Sequence, residues 1–356
     1  FKMRRTQDLP DKESATMFFQ DCKLSHQAQI TGISHSVKEI LPPDLLDLTQ
    51  LQKEANIRYG YTASEVYDIA QSLYEKKLIS YPRTSSRYLT EDVFDSLPPI
   101  MARLLSWELF PAAKGTGGID ISNLSRHVIS AEKANVHHAI IITGIRPGNL
   151  SEKEMQVYRL VAGRMLETFM APCRIETTNV EAVCAAQHFK AEQTRIIEAG
   201  WHDVFMRSDM VPKSGYSVNE LPEVEKGDNL NVCGCNMVHK KELPVDPFTD
   251  AELVEYMELN GLGTVSSRTN IIRTLVNRKY IRYSGKYIVP TPKGMFTYET
   301  IRGKKIADTS LTADWEKQLT GLESGMITGQ DFLNRIRTLA KEMTDDIFNT
   351  YSTKEE

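Results

Sequence analysis

No run in these 356 residues approaches the ~18 consecutive apolar residues needed to span a bilayer, and no cleavable leader opens the chain. Cysteine is scarce and scattered, at Cys22, Cys173, Cys184, Cys233 and Cys235. Cys233-Gly-Cys235 has no second pair at zinc spacing, so a disulfide framework or structural zinc is not expected, and a reduced, cytosolic protein is the simplest reading. No Asp-x-Asp occurs anywhere in the sequence. The one glycine-rich stretch, Lys114-Gly-Thr-Gly-Gly118, has no strand before it and no helix after it, which excludes a P-loop. An initiator methionine is also missing: the chain starts at Phe1 and reads as a piece of something longer. What is present is ordinary for a globular protein, with 41% hydrophobic and 25% charged residues. The length predicts two or three domains and an ample core.

Net charge is −4, which by itself argues weakly against a polyanionic partner. Its distribution argues the other way. Residues 261–305 hold ten basic residues, Arg268 and Arg273 among them, against Glu299 alone, while 218–258 is strongly acidic. Such segregation makes a phosphate-attracting surface on a globally acidic chain. A solvated basic face is the plainer alternative.

Along the chain, residues 1–15 read as a frayed polar end and 16–39 as strands, closed by Pro42-Pro43. Helices follow. Leu45, Leu48 and Leu51 recur at helical spacing, Thr62-Ala-Ser-Glu65 has the form of a capping box, and Val66, Ile69, Ala70 and Leu73 supply one apolar face. Leu78 to Tyr81 reads as a short strand leaving that helix. Residues 69–81, IAQSLYEKKLISY, align without gaps on 271–283, IIRTLVNRKYIRY, with five identities in thirteen. Two copies of one helix-to-strand unit are expected, the second continuing through a turn at Ser284-Gly285 into Lys286-Tyr287-Ile288-Val289, as in a winged helix. Ser151 opens a further helix, 174–245 is β-rich with turns at Gly200-Trp201 and Lys226-Gly227-Asp228, Thr249 caps another helix, and 312–348 are amphipathic helices.

The chemistry-bearing stretch is Leu78-Ile79-Ser80-Tyr81-Pro82-Arg83-Thr84-Ser85-Ser86-Arg87-Tyr88-Leu89. A tyrosine is a nucleophile toward phosphorus only when helped, because its ordinary pKa is about 10. A nearby cation both favours the phenolate and neutralises the phosphate under attack. Arg83 stands two residues on, with Pro82 stiffening the backbone between. This segment resembles the active-site segment of the type IA DNA topoisomerases, especially their topoisomerase III branch. Pro42-Pro43-Asp44-Leu45-Leu46-Asp47-Leu48-Thr49-Gln50-Leu51-Gln52, His137-His138-Ala139-Ile140-Ile141 and Gly261-Leu262-Gly263-Thr264-Val265-Ser266-Ser267-Arg268 resemble further segments of the family, in the family's order. The likeness runs from about residue 20 to about 340.

The resemblance implies an α+β, multidomain chain. Residues 1–43 with 175–245 would form a β arch, 44–174 a winged-helix-like domain bearing the catalytic tyrosine, and 246–356 a helical DNA-binding domain holding the second winged-helix-like unit. It implies transient cleavage of one DNA strand through a 5′-phosphotyrosine, passage of a strand, and resealing without ATP. Tyr81 would be the nucleophile, Arg83 its charge-stabilising cation and His137 a phosphate-binding or proton-relay group. Thr264, Ser267, Arg268, Arg273 and Arg87 would contact single-stranded DNA. The family's Mg²⁺ is held by Asp-x-Asp-x-Glu in a toprim domain that this sequence lacks. The chain alone is therefore expected to bind single-stranded DNA, hold no metal and not cleave. A helicase or a single-strand-binding protein would be a partner, no membrane and no oligomer are implied, and the location would be cytoplasmic, on the nucleoid. Departures from the family pattern are Ser85 for Asp, Ile142-Thr143 for Pro-Thr, and Val265-Ser266 for Pro-Ala. Two rival readings stand beside this one. A non-enzymatic winged-helix DNA binder would use the tyrosine only as core, and a relaxase would need a His-hydrophobic-His metal motif where this chain has His-His-Ala.

Overall fold

A computed structural model describes residues 1–107, 109–110, 119–134, 137–205, 216–218, 220–238 and 246–352. The glycine-rich 114–118 stretch lies outside the described residues. Contacts divide the chain into two units, one of Phe1–Asp44, Met101–Ser125 and Gly163–Pro244, the other of Leu45–Ile100, Arg126–Ala162 and Val245–Glu356.

In the first unit β1 (Arg4–Arg5), β2 (Gln27–Ile40), β3 (Cys173–Cys184), β4 (Gln187–Glu198) and β5 (Asn229–Asn231) form one sheet in the order β1-β4-β3-β2-β5. Each pairing is antiparallel, so the segment after residue 170 does return to the N-terminal strands. One face of the sheet buries Ile30, Val180 and Ala182 against Met3, Ile33 and Leu230. Strands alone do not fill residues 16–39: α1 (Lys12–Ser25) comes first. Asp11 caps it by accepting from the Ser14 amide at 2.8 Å. Ala15, Phe18, Phe19 and Cys22 keep the i, i+3, i+4, i+7 spacing of a helix, a period hidden by the polar residues between them. Gly200 has φ 52°, and a Cβ there would lie 2.4 Å from the Ala171 and Pro172 carbonyl oxygens. Only glycine allows the turn that delivers the buried Trp201, whose Nε1–H donates to the Ile40 carbonyl at 2.9 Å.

The second unit is mostly helical: α2 (Leu48–Tyr59), α3 (Ala63–Glu75), α4 (Glu91–Asp95), the start of α5 (Leu97–Ser106), α6 (Ala131–Ala134) and the start of α7 (Glu152–Phe169), then α8 (Asp250–Leu259), α9 (Arg268–Asn277), α10 (Pro292–Ile301), α11 (Thr309–Glu323) and α12 (Gly329–Ser352). Its hairpin is β6 (Ile281–Ser284) with β7 (Tyr287–Pro290). The expected capping box of Thr62 with Glu65 forms, and Thr249, expected as a cap, forms a second box with Glu252. Val66, Ala70 and Leu73 are the buried stripe of α3. Ala63 joins Val254, Met257, Ile272 and Ile288 in one apolar cluster, so the start of α3 packs with α8, α9 and the hairpin. Among the described residues no helix is long and apolar enough to cross a membrane. The mixture of helices and an antiparallel sheet agrees with the α+β expectation.

Candidate active site

The turn that ends α3 sets the direction of the tyrosine segment. Lys76 is the C-cap, Lys77 takes the left-handed conformation at φ 59°, and the Leu78 amide reaches back to the Leu73 carbonyl at 2.9 Å. The chain then runs beside residues 139–143. Ile79 bridges Ile142, the Ser80 amide donates to the Ile141 carbonyl at 2.8 Å, and the Ser80 hydroxyl donates to the Ala139 carbonyl at 3.1 Å. The expected strand at 78–81 is thus one bridge long. Pro82, which has no amide hydrogen, stops the ladder.

The second copy repeats this geometry bond for bond. Lys279, aligned with Lys77, is left-handed at φ 61°, and the Tyr280 amide donates to the Leu275 carbonyl at 2.9 Å. Two threonines that sequence comparison missed clamp the equivalent strands. Thr143 Oγ1 donates to the Lys77 carbonyl at 2.7 Å and Thr291 Oγ1 to the Lys279 carbonyl at 2.6 Å. Their amides donate to the Leu78 and Tyr280 carbonyls at 3.1 and 3.0 Å. Each threonine directly follows the returning strand or bridge, outside the aligned thirteen residues, so only its place relative to that strand could have revealed it.

Tyr81 emerges half-buried between two rings, Tyr74 edge-on at 5.4 Å and His137 tilted at 4.4 Å between centroids. Among the described residues its hydroxyl has no hydrogen-bond partner. His137 is exposed, and its backbone is fixed by Thr84, whose Oγ1 donates to the His137 carbonyl at 3.0 Å. The Thr84 carbonyl also accepts from the Leu48 amide at 3.1 Å, which ties the loop to the start of α2. His138 turns away, Nδ1–H donating to the Ala139 carbonyl at 2.7 Å. Arg83 lies along α3, its Cζ 5.1 Å from the Tyr67 ring centroid and Nη2 donating to Gln71 Oε1 at 3.2 Å. Tyr81 and Arg83 are therefore both held against α3, and the His137 ring lies against Tyr81.

The five other sequence-picked residues sit differently. Arg87 donates to the buried Asp47 at 2.6 Å, and Asp47 also caps α2. Burial holds the Asp47 carboxyl above its ordinary value, against the lowering effects of the Gln50 amide and Arg87. Thr264 and Ser267 bond to each other, the Thr264 amide donating to Ser267 Oγ at 2.8 Å. Arg268 is buried and ion-paired with Glu258 at 3.3 Å. Arg273 reaches Ser64 at 2.7 Å and Asp68 at 2.9 Å on α3. Of the basic segment 261–305, Arg302, Lys304 and Lys305 are also ion-paired. Arg278, Lys279, Arg282, Lys286 and Lys293 are exposed and have no carboxylate partner among the described residues. They interleave with tyrosines: Lys286 lies over Tyr287 and Lys293 over Tyr280. Exposure, which a sequence does not display, separates these five from Arg268 and Arg273.

Tyr283, the counterpart of Tyr81, donates its hydroxyl to Asp250 Oδ1 at 2.8 Å. Asp250 is buried and also accepts from the Ala63 amide. Burial first, then the Asp250 charge, push the Tyr283 phenol above its ordinary value. Among the described residues no three His, Cys, Asp or Glu side chains gather as a metal cluster.

The sequence pattern of the DNA topoisomerase family matches residues 2–334, and the chain belongs to that family, of type IA. Among its relatives are the proteins named DNA topoisomerase 3 of Bacillus licheniformis, 31% identical over 90% of this chain and 47% of the relative, and of Bacillus subtilis, 30% identical over 92% and 48%. The chain thus spans about half the length of the relatives it matches. The full-length topoisomerase I structure from Thermotoga maritima shares the fold at a TM-score of 0.72 and 23% identity, covering 96% of this chain and 56% of that one.

Proposed function

We propose that Tyr81 is the nucleophile of a transient break in one DNA strand. The observation that carries this reading is the contact of the Tyr81 and His137 rings at 4.4 Å between centroids, with Arg83 held against the same helix α3 as Tyr81, when the equivalent Tyr283 is held by a carboxylate. The Tyr81 oxygen attacks a backbone phosphorus, an O–P bond to the tyrosine forms, and the bond from phosphorus to the 3′ oxygen breaks. The 3′ oxygen leaves with a proton. Arg83 neutralises charge growing on the non-bridging oxygens, and His137 binds the phosphate or relays the tyrosine proton. Reversal reseals the strand, with the phosphotyrosine conserving the bond energy, so no nucleotide is consumed.

A division of labour accompanies this reading. Residues 1–43 with 175–245 serve as the β arch around a passing strand, 44–174 carry the tyrosine, and 246–356 hold single-stranded DNA. The Mg²⁺ of the reaction belongs to residues outside this sequence, so the 356 residues alone bind single-stranded DNA without cleaving it. A helicase or single-strand-binding protein is the expected partner, on the nucleoid in the cytoplasm.

The test uses oligonucleotides labelled at one end and the full-length protein that contains these residues. A 5′-phosphotyrosine retains the downstream fragment, so the protein acquires label from the 3′-labelled strand and not from the 5′-labelled one. Tyr81→Phe should abolish the adduct. An adduct in that variant, or label from the 5′ end, overturns the assignment.

A further inference from the structure

Helix α3 carries a second stripe beside its buried one, and the stripe faces the tyrosine segment. Tyr67, Gln71 and Tyr74 recur at four and three residues, with Glu75 next to Gln71 one turn on. Each touches the site. The Tyr67 ring underlies the Arg83 guanidinium, Gln71 accepts its Nη2–H, and Tyr74 stands edge-on to Tyr81. One rigid helix thus fixes both the nucleophile and its cation.

Gln71 is the telling member. Its Nε2 donates to Glu75 Oε1 at 2.8 Å. A carboxylate can only accept, so the amide's NH₂ end is committed to Glu75 and its oxygen must face Arg83. An amide oxygen orients a guanidinium without cancelling its charge. A carboxylate at the same place would form a charge-assisted pair and neutralise the arginine. The Tyr67 ring face likewise attracts the cation while leaving it a cation. Arg83 Nε is buried without an acceptor among the described residues, so part of the donor fork is still unspent.

We propose that Gln71 is a positioning residue for strand cleavage: with Tyr67 it sets the Arg83 guanidinium beside Tyr81 with its positive charge uncompensated, ready for phosphate oxygens. The inference rests on the functional reading above and adds a residue that acts through Arg83. Tyr74 does the same for the Tyr81 ring.

The experiment is single-turnover adduct formation by the full-length protein on a 3′-labelled oligonucleotide, from pH 3.5 to 8, for wild type, Gln71→Glu and Gln71→Met. Gln71→Glu places a negative charge against Arg83 and should slow the step on the order of 10-fold to 10²-fold at pH 7.5. As pH falls below about 4.3, the ordinary glutamate value that Arg83 pushes lower still, the new carboxyl protonates, becomes a neutral acceptor again, and the ratio to wild type should recover. A merely structural defect has no reason to recover with acid. Gln71→Met, uncharged and without an acceptor, should lose less than Gln71→Glu at pH 7.5, and it tests the point even if the glutamate variant folds poorly. A Gln71→Glu rate within twofold of wild type, a deficit constant across the pH range, or a larger loss in Gln71→Met overturns the inference, leaving the role of Tyr81 intact. Absence of any Tyr81 adduct in wild type overturns the functional reading, and this inference with it.

Discussion

Two tyrosines occupy equivalent places in two copies of one unit, and their surroundings differ: Tyr81 lies against the Tyr74 and His137 rings, Tyr283 against a carboxylate. Tyr283 is bonded to a buried carboxylate that also holds the Ala63 amide. Deprotonating it would set two negative charges against each other. Replacing it with Phe should leave adduct formation at Tyr81 in place but destabilise the protein by about 1–3 kcal/mol, because Asp250 loses a partner without regaining water; calorimetric melting beside the adduct assay reads both. The sequence reason to prefer Tyr81 over Tyr283 as the proposed nucleophile lies in Pro82-Arg83-Thr84 alone. The bond to Asp250 was not, since the two residues are far apart in sequence and no local pattern links them. The same holds for Arg268 and Arg273: a basic residue shows its charge in a sequence but not whether a Glu258 or an Asp68 has already engaged it.

Helices α3 and α7 are joined by a polar contact that depends on pH. Glu154 of α7 accepts from Ser72 at 2.7 Å and from Lys76 at 2.5 Å, both at the end of α3 that leads into the tyrosine segment, and from the Ser151 amide at 3.0 Å. Lys76 first, then the Ser151 amide and Ser72, lower its carboxyl from 4.5 to about 2. A carboxyl depressed by folding contributes stability that is present above the unfolded value and lost as pH falls toward the folded one. Glu154→Gln should therefore be less stable than wild type at pH 7, with the gap closing between about pH 4.5 and 2. Urea unfolding midpoints of the two proteins at pH 7, 4 and 3 measure this, and a gap that stays constant would show that the contact is not ionic. The capping box of Ser151 with Glu154 is visible in the sequence, as are those of Thr62 and Thr249. Helix α1 is one element that pattern reading gave as strand, because Phe18 and Phe19 suit a strand as well as a helix when their neighbours are polar.

At the scale of the whole molecule, a chain of net charge −4 offers nucleic acid five exposed cations on and around one hairpin, Arg278, Lys279, Arg282, Lys286 and Lys293. If they track a backbone, changing Arg278, Arg282 and Lys286 together to Gln should flatten the log–log salt dependence of single-strand binding by about 2, from ~0.7 per phosphate contact. Arg273→Gln should chiefly lower stability instead; fluorescence anisotropy across a salt series, with a melt for each variant, separates the two effects. The duplicated units also differ in how far apart their paired strands lie along the chain. Ile281 and Pro290 pair across nine residues, whereas Ile79 and Ile142 meet across 63, with the segment that bears Tyr81, Arg83 and His137 looped between them. Closing a loop seven times longer costs roughly 1.7 kcal/mol more in chain entropy. The hairpin copy should therefore assemble first during folding and the copy that houses the tyrosine later, so amides of residues 279–291 should gain protection from hydrogen exchange ahead of those at 78–80 and 140–143. A single supersecondary design is used twice, once sealed by a two-residue turn as an early-forming wing, and once held open along the sequence, with the segment of Tyr81, Arg83 and His137 carried in place of that turn.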